Sequence, residues 1–377
     1  MGALRHVLDI DDLGTEGLSA VLALAAADPA SLPPVLEGQG VALVFEKPSN
    51  RSRNSTEMAT VALGGHPVYI QGHEVGLDVR EPAGDVALTL ACYHSVLCAR
   101  VIDHGSLVRM TAALDAADAT VPVINLLSDV AHPCQALADL LTIRQHFGAD
   151  ALPERTIAYV GDANNVWRSL AIASSMVGMP TRVASPVGFG PTDADVALVR
   201  SFGGDLVVTT DPTEAVEGVD AVYTDVWTSM GQEAESAARL EAFRGFEVNE
   251  ELMKGTREGA VVLHCLPAHR GEEISAGVVD GPQSVVWQQA TNRMHAMRGL
   301  LAWVRESMLH PWPRAATGED DQTPTSTPHH KTARNHGGGQ PDTPGGIIGG
   351  GGGRGNSDHC LARPGGVGSP EGEAPRR

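Results

Sequence analysis

Two arginines and two serines lie within one short segment, residues 49–53 (SNRSR). The apolar run at 40–45 before it predicts a buried strand, and residues 55–63 after it predict a helix with small residues on its packed side. The polar segment would then begin a helix, where free backbone N–H groups and the helix dipole attract anions. Hydroxyl donors and a bidentate guanidinium fork would add to this attraction. The segment therefore predicts a phosphate site, the alternative being a solvated basic turn.

A second polar pair opens another predicted helix, at residues 132–141 (HPCQALADLL). Pro133 suits the first turn of a helix, and the apolar residues at 134, 137, 138 and 141 repeat along one helix face. His132 and Gln135 would lie at the start of this helix. The alternative role for His132 is a plain helix N-cap.

Polar residues also follow two further predicted strands. The run at 221–223 leads into residues 225–231 (DVWTSMG), and the run at 260–263 leads into residues 264–270 (HCLPAHR). Open α/β sheets bind ligands at the carboxyl ends of their strands. The sequence therefore predicts one ligand site built from several strand ends.

The elements that would position these groups form two α/β halves with a boundary near Asp150. Alternating strands and helices imply parallel sheets covered by helices on both faces. The helix after His132 would bridge the halves. Predicted strands lie at 41–45, 67–70, 95–101, 121–125, 155–160, 181–185, 205–209, 220–223 and 260–264, and further helices at 166–178 and 292–309.

In this order along the chain, the motifs resemble those of the ornithine carbamoyltransferases. The Ser-x-Arg-x-Arg and His-Pro-x-Gln motifs are similar to the carbamoyl-phosphate site of the transcarbamylases, which include the aspartate enzyme. The Asp-x-x-x-Ser-Met-Gly and His-Cys-Leu-Pro motifs resemble the ornithine branch. The resemblance covers about residues 3 to 310. It implies transfer of the carbamoyl group of carbamoyl phosphate to the δ-amino group of L-ornithine, giving L-citrulline and phosphate without a metal or organic cofactor.

The resemblance also implies a domain organisation. Residues 1–150 would bind carbamoyl phosphate, residues 151–291 would bind ornithine, and a helix at 292–312 would pack back on the first domain. Residues 313–377 include the pure glycine run 349–353 and no aromatic residue. Such a Gly/Pro-rich segment buries too little apolar surface to fold, so it is expected to be a disordered tail.

The resemblance implies which residues hold carbamoyl phosphate. Among them Arg51, His132 and Arg293 would be catalytic, with His132 donating to the oxygen on which negative charge develops. Arg100 is preferred to Arg109 because it ends a predicted strand, and Arg53 is expected to pair with an acidic neighbour. Family members usually carry Thr at positions 50 and 52. The implied set is Ser49, Asn50, Arg51, Ser52, Arg100, His132, Gln135 and Arg293.

The ornithine side follows from the same resemblance. An α-amino acid with a cationic side chain needs an anion, amide donors and a shallow apolar channel. The implied partners are Asp225 and Ser229 for the α-amino group, Asn165 and the backbone near Met230 for the α-carboxylate, and Cys265 and Leu266 for the δ-amino group.

Cys265 would be catalytic by positioning or deprotonating the amine. Its neighbour His264 suggests a Cys-His nucleophile pair, but adjacent residues on a strand point to opposite faces. Covalent catalysis is therefore not expected.

In the resembled family a loop from a neighbouring subunit completes the phosphate site, so the enzyme is expected to be a homotrimer or a multiple of trimers. The matching segment is 71–81 (QGHEVGLDVRE), which is rich in acids and carries Glu74 where Gln is common.

Composition limits the partners and the compartment. The net charge of −19 argues against nucleic acid. The five cysteines are odd in number and lack C-x-x-C spacing, so neither a disulfide framework nor a zinc site is expected. No signal core, transit peptide or apolar run of membrane-spanning length is evident. We expect a cytoplasmic protein that acts on small molecules.

Four other functions compete with this one. A nicotinamide-dependent dehydrogenase would need G-x-G-x-x-G, of which only Gly161 is present in the segment 161–165. Aspartate carbamoyltransferase would not share the 229–231 loop. A transcarbamylase that uses putrescine or another amine, or a catalytically silent relative, stays open from the sequence.

Overall fold

The computed structural model describes residues 6–148, 150–228 and 235–309, with side chains up to Glu306 in the last helix. All of these residues belong to one compact unit. The predicted tail lies outside the described residues.

The first half of this unit contains four strands and six α-helices among its described residues. They are, in chain order, α1 (Gly14–Ala26), β1 (Gly40–Phe45), α2 (Asn50–Ala62), β2 (His66–Gln71), α3 (Gly72–Val75), α4 (Ala83–Ala91), β3 (Val96–Arg100), α5 (His104–Ala116), β4 (Val123–Leu127) and α6 (Pro133–Phe147).

The described residues of the second half form five strands with helices between them, followed by the long last helix. The elements are β5 (Ile157–Val160), α7 (Asn165–Met176), β6 (Thr181–Ala184), α8 (Asp193–Ser201), β7 (Leu206–Thr209), α9 (Pro212–Val216), β8 (Ala221–Thr224), α10 (Ser236–Ala242), α11 (Glu250–Met253), β9 (Val261–His264), α12 (Ala276–Val279) and α13 (Val286–Leu309).

Each half has its own parallel sheet. The strand order is β2-β1-β3-β4 in the first sheet and β7-β6-β5-β8-β9 in the second. All pairings between named strands are parallel, as crossover helices between strands require. The predicted fold class is confirmed, and all nine predicted strands are present within two residues of their predicted bounds.

Two helices hold the halves together. In α6 every residue from Pro133 to Ile143 is buried, and this helix packs against α1, α7 and α13. Helix α13 packs against α1, α2 and α6, so it returns to the first half of the chain. The bridging helix and the returning helix are therefore both present as predicted.

Helix α13 begins at Val286, six residues before the predicted start at 292. The extra turns carry Gln289 on their buried side, while Trp287 is 65% exposed. A buried amide and an exposed indole invert the hydrophobic pattern, so periodicity alone does not reveal these turns.

The described helices include none that is long and apolar enough to cross a membrane.

Close packing between α1 and α13 depends on Gly299. A Cβ atom at this position would lie 2.7 Å from both Ala25 N and Val21 O, which are backbone atoms of α1. Backbone atoms within a packed helix cannot move aside as a flexible side chain does.

We expect Gly299→Ala to lower the free energy of unfolding by about 1–3 kcal/mol, because overpacking outweighs the better helix propensity of Ala. Thermal unfolding measures the effect. Gly190→Ala is the matched control, since a Cβ atom there meets nothing within 4 Å. Equal melting temperatures for the two variants would contradict the proposed close contact.

Candidate active site

The strand registers bring the predicted site residues to one edge of each sheet. Phe45 pairs with Arg100, so the end of β1, which leads into α2, lies beside the end of β3. In the second sheet Thr224 pairs with His264. Asp225 and Cys265, which follow these two residues, are therefore neighbours.

The start of α2 is set by Ser49, which adopts extended dihedrals and accepts a hydrogen bond from Ser52 N at 3.2 Å. This is the geometry of a helix N-cap, and it turns Arg51 and Ser52 into the first helical turn. Ser49 thus serves as the N-cap of α2, a role that its residue type suggests. Asn50, the first residue of the helix, accepts a hydrogen bond from Asn54 Nδ2 at 3.0 Å.

Three guanidiniums, those of Arg51, Arg100 and Arg293, meet at this edge and are called the arginine cluster below. Arg293 reaches from α13 to α2, where its Nη2 donates to Ser52 Oγ at 3.2 Å. Burial lowers the pKa of Arg100 to about 10, with further lowering by the other two guanidiniums. Burial also lowers the pKa of Arg51; Cys265 partly offsets this, and Arg293 adds to it.

Several donors of the arginine cluster have no hydrogen-bond partner among the described residues. They are Nε of Arg100 and Nε and Nη1 of Arg293, although both side chains are more than nine-tenths buried. Buried charged donors are costly unless an anion satisfies them. The arginine cluster therefore fits an anion with several oxygens, such as a phosphate group.

His132 lies beside the arginine cluster at the N-terminus of α6. Its backbone N–H donates to Ser169 Oγ at 2.8 Å, which fixes the start of α6 against α7. Burial, followed by the charges of Arg293, Arg100 and Arg51, holds the pKa of His132 well below its ordinary value of 6.5. The imidazole is therefore neutral at physiological pH and can donate only one N–H.

Gln135 follows one turn into α6 and is held by a buried carboxyl group. Its Nε2 donates to Asp139 Oδ1 at 2.7 Å. The same oxygen accepts from Gln289 Nε2 at 2.6 Å. Burial raises the pKa of Asp139 to about 7, against the lowering effect of these two hydrogen bonds.

The opposite side of the site carries Asp225 and Cys265. The thiol of Cys265 donates to Asp225 Oδ1 at 2.9 Å, and Asn164 Nδ2 donates to Asp225 Oδ2 at 3.1 Å. Burial and then Asp225 raise the pKa of Cys265 well above its ordinary value. Cys265 is therefore a protonated thiol at neutral pH.

Both ring nitrogens of His264 have hydrogen-bond partners other than Cys265. Its Nε2 lies 3.0 Å from Glu273 Oε1, and its Nδ1 accepts from Leu266 N at 2.8 Å. The predicted separation of the thiol from the imidazole by strand alternation is wrong. A ring nitrogen of His264 lies within 4.8 Å of Cys265 Sγ and of an Asp225 carboxylate oxygen, because β9 ends at His264 and Cys265 follows the strand. The thiol nevertheless donates to Asp225. Leu266 adopts a positive φ of 60°, and its hydrogen bond to His264 holds the turn that follows Cys265.

Asn165, predicted to bind a carboxylate, donates from Nδ2 to Ser128 O at 2.6 Å. Its neighbour Asn164 caps α7 by accepting from Val166 N at 2.9 Å and also contacts Asp225. Ser229 and Met230 lie outside the described residues.

Two arginines that competed for the phosphate role lie elsewhere. Arg53 pairs with Glu57 at 2.8 Å, as expected, and its guanidinium stacks 3.7 Å above the Tyr69 ring. Arg109 is half exposed and bonds to Asp78 at 2.8 Å and to Asp103 at 3.0 Å. The structure thus groups Arg100, and not Arg109, with Arg51.

Sequence reasoning missed Asn164, Asp139 and Gln289. Asp139 carried a usable signal, because it lies four residues after Gln135 and so on the same helix face. Asn164 looked equivalent to Asn165 next to it. Gln289 gave no signal, since its helical turn was not predicted.

Comparison with known proteins is consistent with this geometry. The family model described as "Aspartate/ornithine carbamoyltransferase, carbamoyl-P binding domain" matches residues 5–145. A second family model, described as "Aspartate/ornithine carbamoyltransferase, Asp/Orn binding domain", matches residues 153–304.

Individual relatives match over nearly their full length. The ornithine carbamoyltransferase of Acidothermus cellulolyticus is 46% identical over 311 residues, which cover 81% of this chain and 97% of the relative. The solved structure of the Pyrococcus furiosus ornithine carbamoyltransferase has a TM-score of 0.75 at 40% identity and covers 81% of this chain and 99% of its own. The solved structure of the Thermus thermophilus ornithine carbamoyltransferase has a TM-score of 0.71 at 41% identity. The match covers 80% of this chain and 98% of the Thermus chain.

The arginine cluster predicts a sharp difference between two arginines on α2. We expect Arg51→Lys to weaken the binding of inorganic phosphate by about 2 kcal/mol, or about 30-fold, because Lys keeps the charge but loses the bidentate fork. Arg53→Lys is the control on the same helix and should change the affinity less than about twofold. Calorimetric titration measures both, and equal affinities for the two variants would remove Arg51 from the phosphate site.

The raised pKa of Asp139 predicts a pH-dependent stability. The folded protein disfavours the ionised carboxylate, so this group contributes stability below pH 4 that is lost as the pH rises to about 7. The full difference corresponds to roughly 4 kcal/mol. Asp139→Asn cannot ionise. We therefore expect its melting temperature, relative to the unmodified protein, to be higher at pH 8 than at pH 5.

Asp280→Asn provides the control for this pH series. Arg270 lowers the pKa of the exposed Asp280, so this carboxylate is ionised at both pH values. Its variant should differ from the unmodified protein equally at pH 5 and pH 8. The same flat response from Asp139→Asn would show that Asp139 does not titrate in this range.

Proposed function

This chain belongs to the aspartate/ornithine carbamoyltransferase family, and we propose that it is an ornithine carbamoyltransferase. It would transfer the carbamoyl group of carbamoyl phosphate to the δ-amino group of L-ornithine, giving L-citrulline and phosphate. One observation carries the proposal: the largely buried arginine cluster faces an Asp225–Cys265 pair in the same site. The first suits a phosphate, and the second suits a cationic amine.

The two sides are close enough for their charges to interact. Against the lowering effect of burial, the Asp225 carboxylate raises the pKa of Arg51. A carbamoyl phosphate held by the arginine cluster would therefore present its carbonyl carbon toward the amine side. Holding both reactants in this way lowers the entropic part of the barrier.

In the reaction, the neutral δ-amine nitrogen attacks the carbonyl carbon and a tetrahedral oxyanion forms. The bond from this carbon to the bridging oxygen then breaks, phosphate leaves, and the nitrogen loses a proton. His132 and Arg293 would stabilise the oxyanion as donors already in place. His132 would do so as a neutral imidazole, with its one N–H directed at the oxygen.

Cys265 would position the amine. Its raised pKa keeps the thiol protonated, and its S–H is donated to Asp225. A thiol in this state is neither the nucleophile nor the free base, so amine deprotonation would be set by solution pH and by the site's charges. The backbone after Cys265, held at Leu266, would line the δ-amine position.

The α-groups of ornithine would select the substrate. Asp225 would hold the α-ammonium, with Asn164 keeping its carboxylate in place. Asn165 and Ser229, together with the backbone near Met230, would complete the set. Binding of the α-carboxylate by Asn165 requires its Nδ2 to leave Ser128 O.

We further propose a cytoplasmic homotrimer, or a multiple of trimers, with domains at 1–150 and 151–291, followed by the segment 292–312, which contains the returning part of α13. In such an assembly the segment 71–81 would complete a neighbouring phosphate site. Within this chain, Asp78 of that segment is anchored by Arg109 and by Ser106 Oγ at 2.6 Å, which would fix its direction.

Turnover with purified protein tests the function. We expect citrulline and phosphate to form from carbamoyl phosphate and ornithine, with kcat/KM for ornithine exceeding that for putrescine by about 100-fold or more. Putrescine lacks the α-carboxylate, and buried partners left unpaired cost about 1–3 kcal/mol each. The rate should rise with pH above neutrality as the amine loses its proton.

The alternatives give distinct results in the same assay. Equal rates with putrescine would identify a different amine as substrate, and binding without any turnover would identify a catalytically silent relative. Asp225→Asn should reduce ornithine turnover by about tenfold or more while leaving the affinity for inorganic phosphate within about twofold. Loss of phosphate affinity in this variant would show that Asp225 contributes to the phosphate side of the site and not to the ornithine side.

A further inference from the structure

The side-chain amide of Gln135 is oriented by a residue that does not itself face the site. Gln135 Nε2 donates to Asp139 Oδ1 at 2.7 Å, one helix turn farther along α6. Gln135 is 3% exposed and Asp139 is fully buried. Because the nitrogen is committed to Asp139, the amide oxygen points the other way. Gln135 therefore offers the site a hydrogen-bond acceptor.

A second glutamine makes this orientation unambiguous. Gln289 Oε1 accepts from the backbone N–H of His264 at 2.9 Å, so its Nε2 must face Asp139 Oδ1, at 2.6 Å. Reversing Gln289 would place two donors together at His264 and two acceptors together at Asp139. Reversing Gln135 would likewise set its oxygen against Oδ1. The carboxyl oxygen thus fixes both amides.

We propose that Asp139 is a positioning residue that makes Gln135 present its amide oxygen to the NH2 group of carbamoyl phosphate. The inference rests on the proposed function and adds a reason for selectivity. An NH2 group donates to this oxygen, whereas the methyl group of an acyl phosphate of the same shape does not. Gln135, set by Asp139, therefore separates carbamoyl from acetyl groups.

The proposed role needs an acceptor atom and not a negative charge. Asn at position 139 would keep an oxygen for both glutamines and place its NH2 where Oδ2 stands. Oδ2 has no hydrogen-bond partner among the described residues, so no existing bond is lost. The raised pKa of Asp139 agrees with this, since a protonated carboxyl group also retains an accepting oxygen.

Two stable analogues test the inference by calorimetric titration. Phosphonoacetamide keeps the NH2 group, and 2-oxopropylphosphonate has a methyl group in its place. We expect the unmodified protein and Asp139→Asn to prefer the amide by about tenfold or more. Asp139→Ala should reduce this preference below about threefold, while its affinity for inorganic phosphate stays within about threefold because the arginine cluster is intact.

A second variant covers the case in which Asp139→Ala does not fold. Gln135→Met removes the proposed acceptor, leaves Asp139 bonded to Gln289, and should also abolish the preference. Where both substitutions fold, their combination should lower the preference no further than Gln135→Met alone. A merely structural role for Asp139 would lower affinity for both analogues equally in either background.

The outcomes separate this inference from the proposed function. Retention of a tenfold preference by Asp139→Ala or by Gln135→Met overturns the inference, as does an unmodified protein that binds both analogues equally. In those cases citrulline formation still supports the function. If the unmodified protein binds neither analogue and forms no citrulline, the proposed function is wrong and the inference falls with it.

Discussion

Three guanidiniums of like charge, two buried and one half-buried, lie together in this protein, and the site is organised around their repulsion. Arg51, Arg100 and Arg293 come from a helix start, a strand end and the last helix. None of the described carboxylates forms an ion pair with them. A dianionic ligand relieves this repulsion. The electrostatic repulsion between the guanidiniums in the folded protein therefore adds to the free energy of anion binding. Burial, together with these charges, lowers the pKa of His132 and keeps its imidazole neutral.

An acidic chain makes such a cluster effective. With a net charge of −19, the protein cannot attract anions over its whole surface, and positive potential must be built locally. Burial strengthens the potential because water screens it less. The opposite side of the site likewise has a buried local charge, the carboxylate of Asp225. Both Cys265 and Asn164 hold this carboxylate by hydrogen bonds.

Most of the fold and part of the site could be predicted from the sequence. Strand and helix periods revealed the two sheets, and the N-cap pattern at Ser49 placed Arg51 in a helical first turn. Arg100 could be chosen over Arg109 because strand ends converge. What failed depends on tertiary contacts: Gln289 lies on turns whose buried face is polar, and the difference between Asn164 and Asn165 arises only when α7 meets Asp225 and Ser128. Ser229 and Met230 stay predictions.

Helix α13 sets how insertions and deletions can occur in this chain. Gln289 and Arg293 lie four residues apart and so share one face, which reaches Asp139 and Ser52, while Gly299 seats a later turn against α1. One added or deleted residue between 293 and 299 would rotate one end by about 100° relative to the other. Either the contacts of Gln289 and Arg293 with the site or the packing of Gly299 against α1 would then be lost. Length variation among functional relatives should therefore avoid these turns.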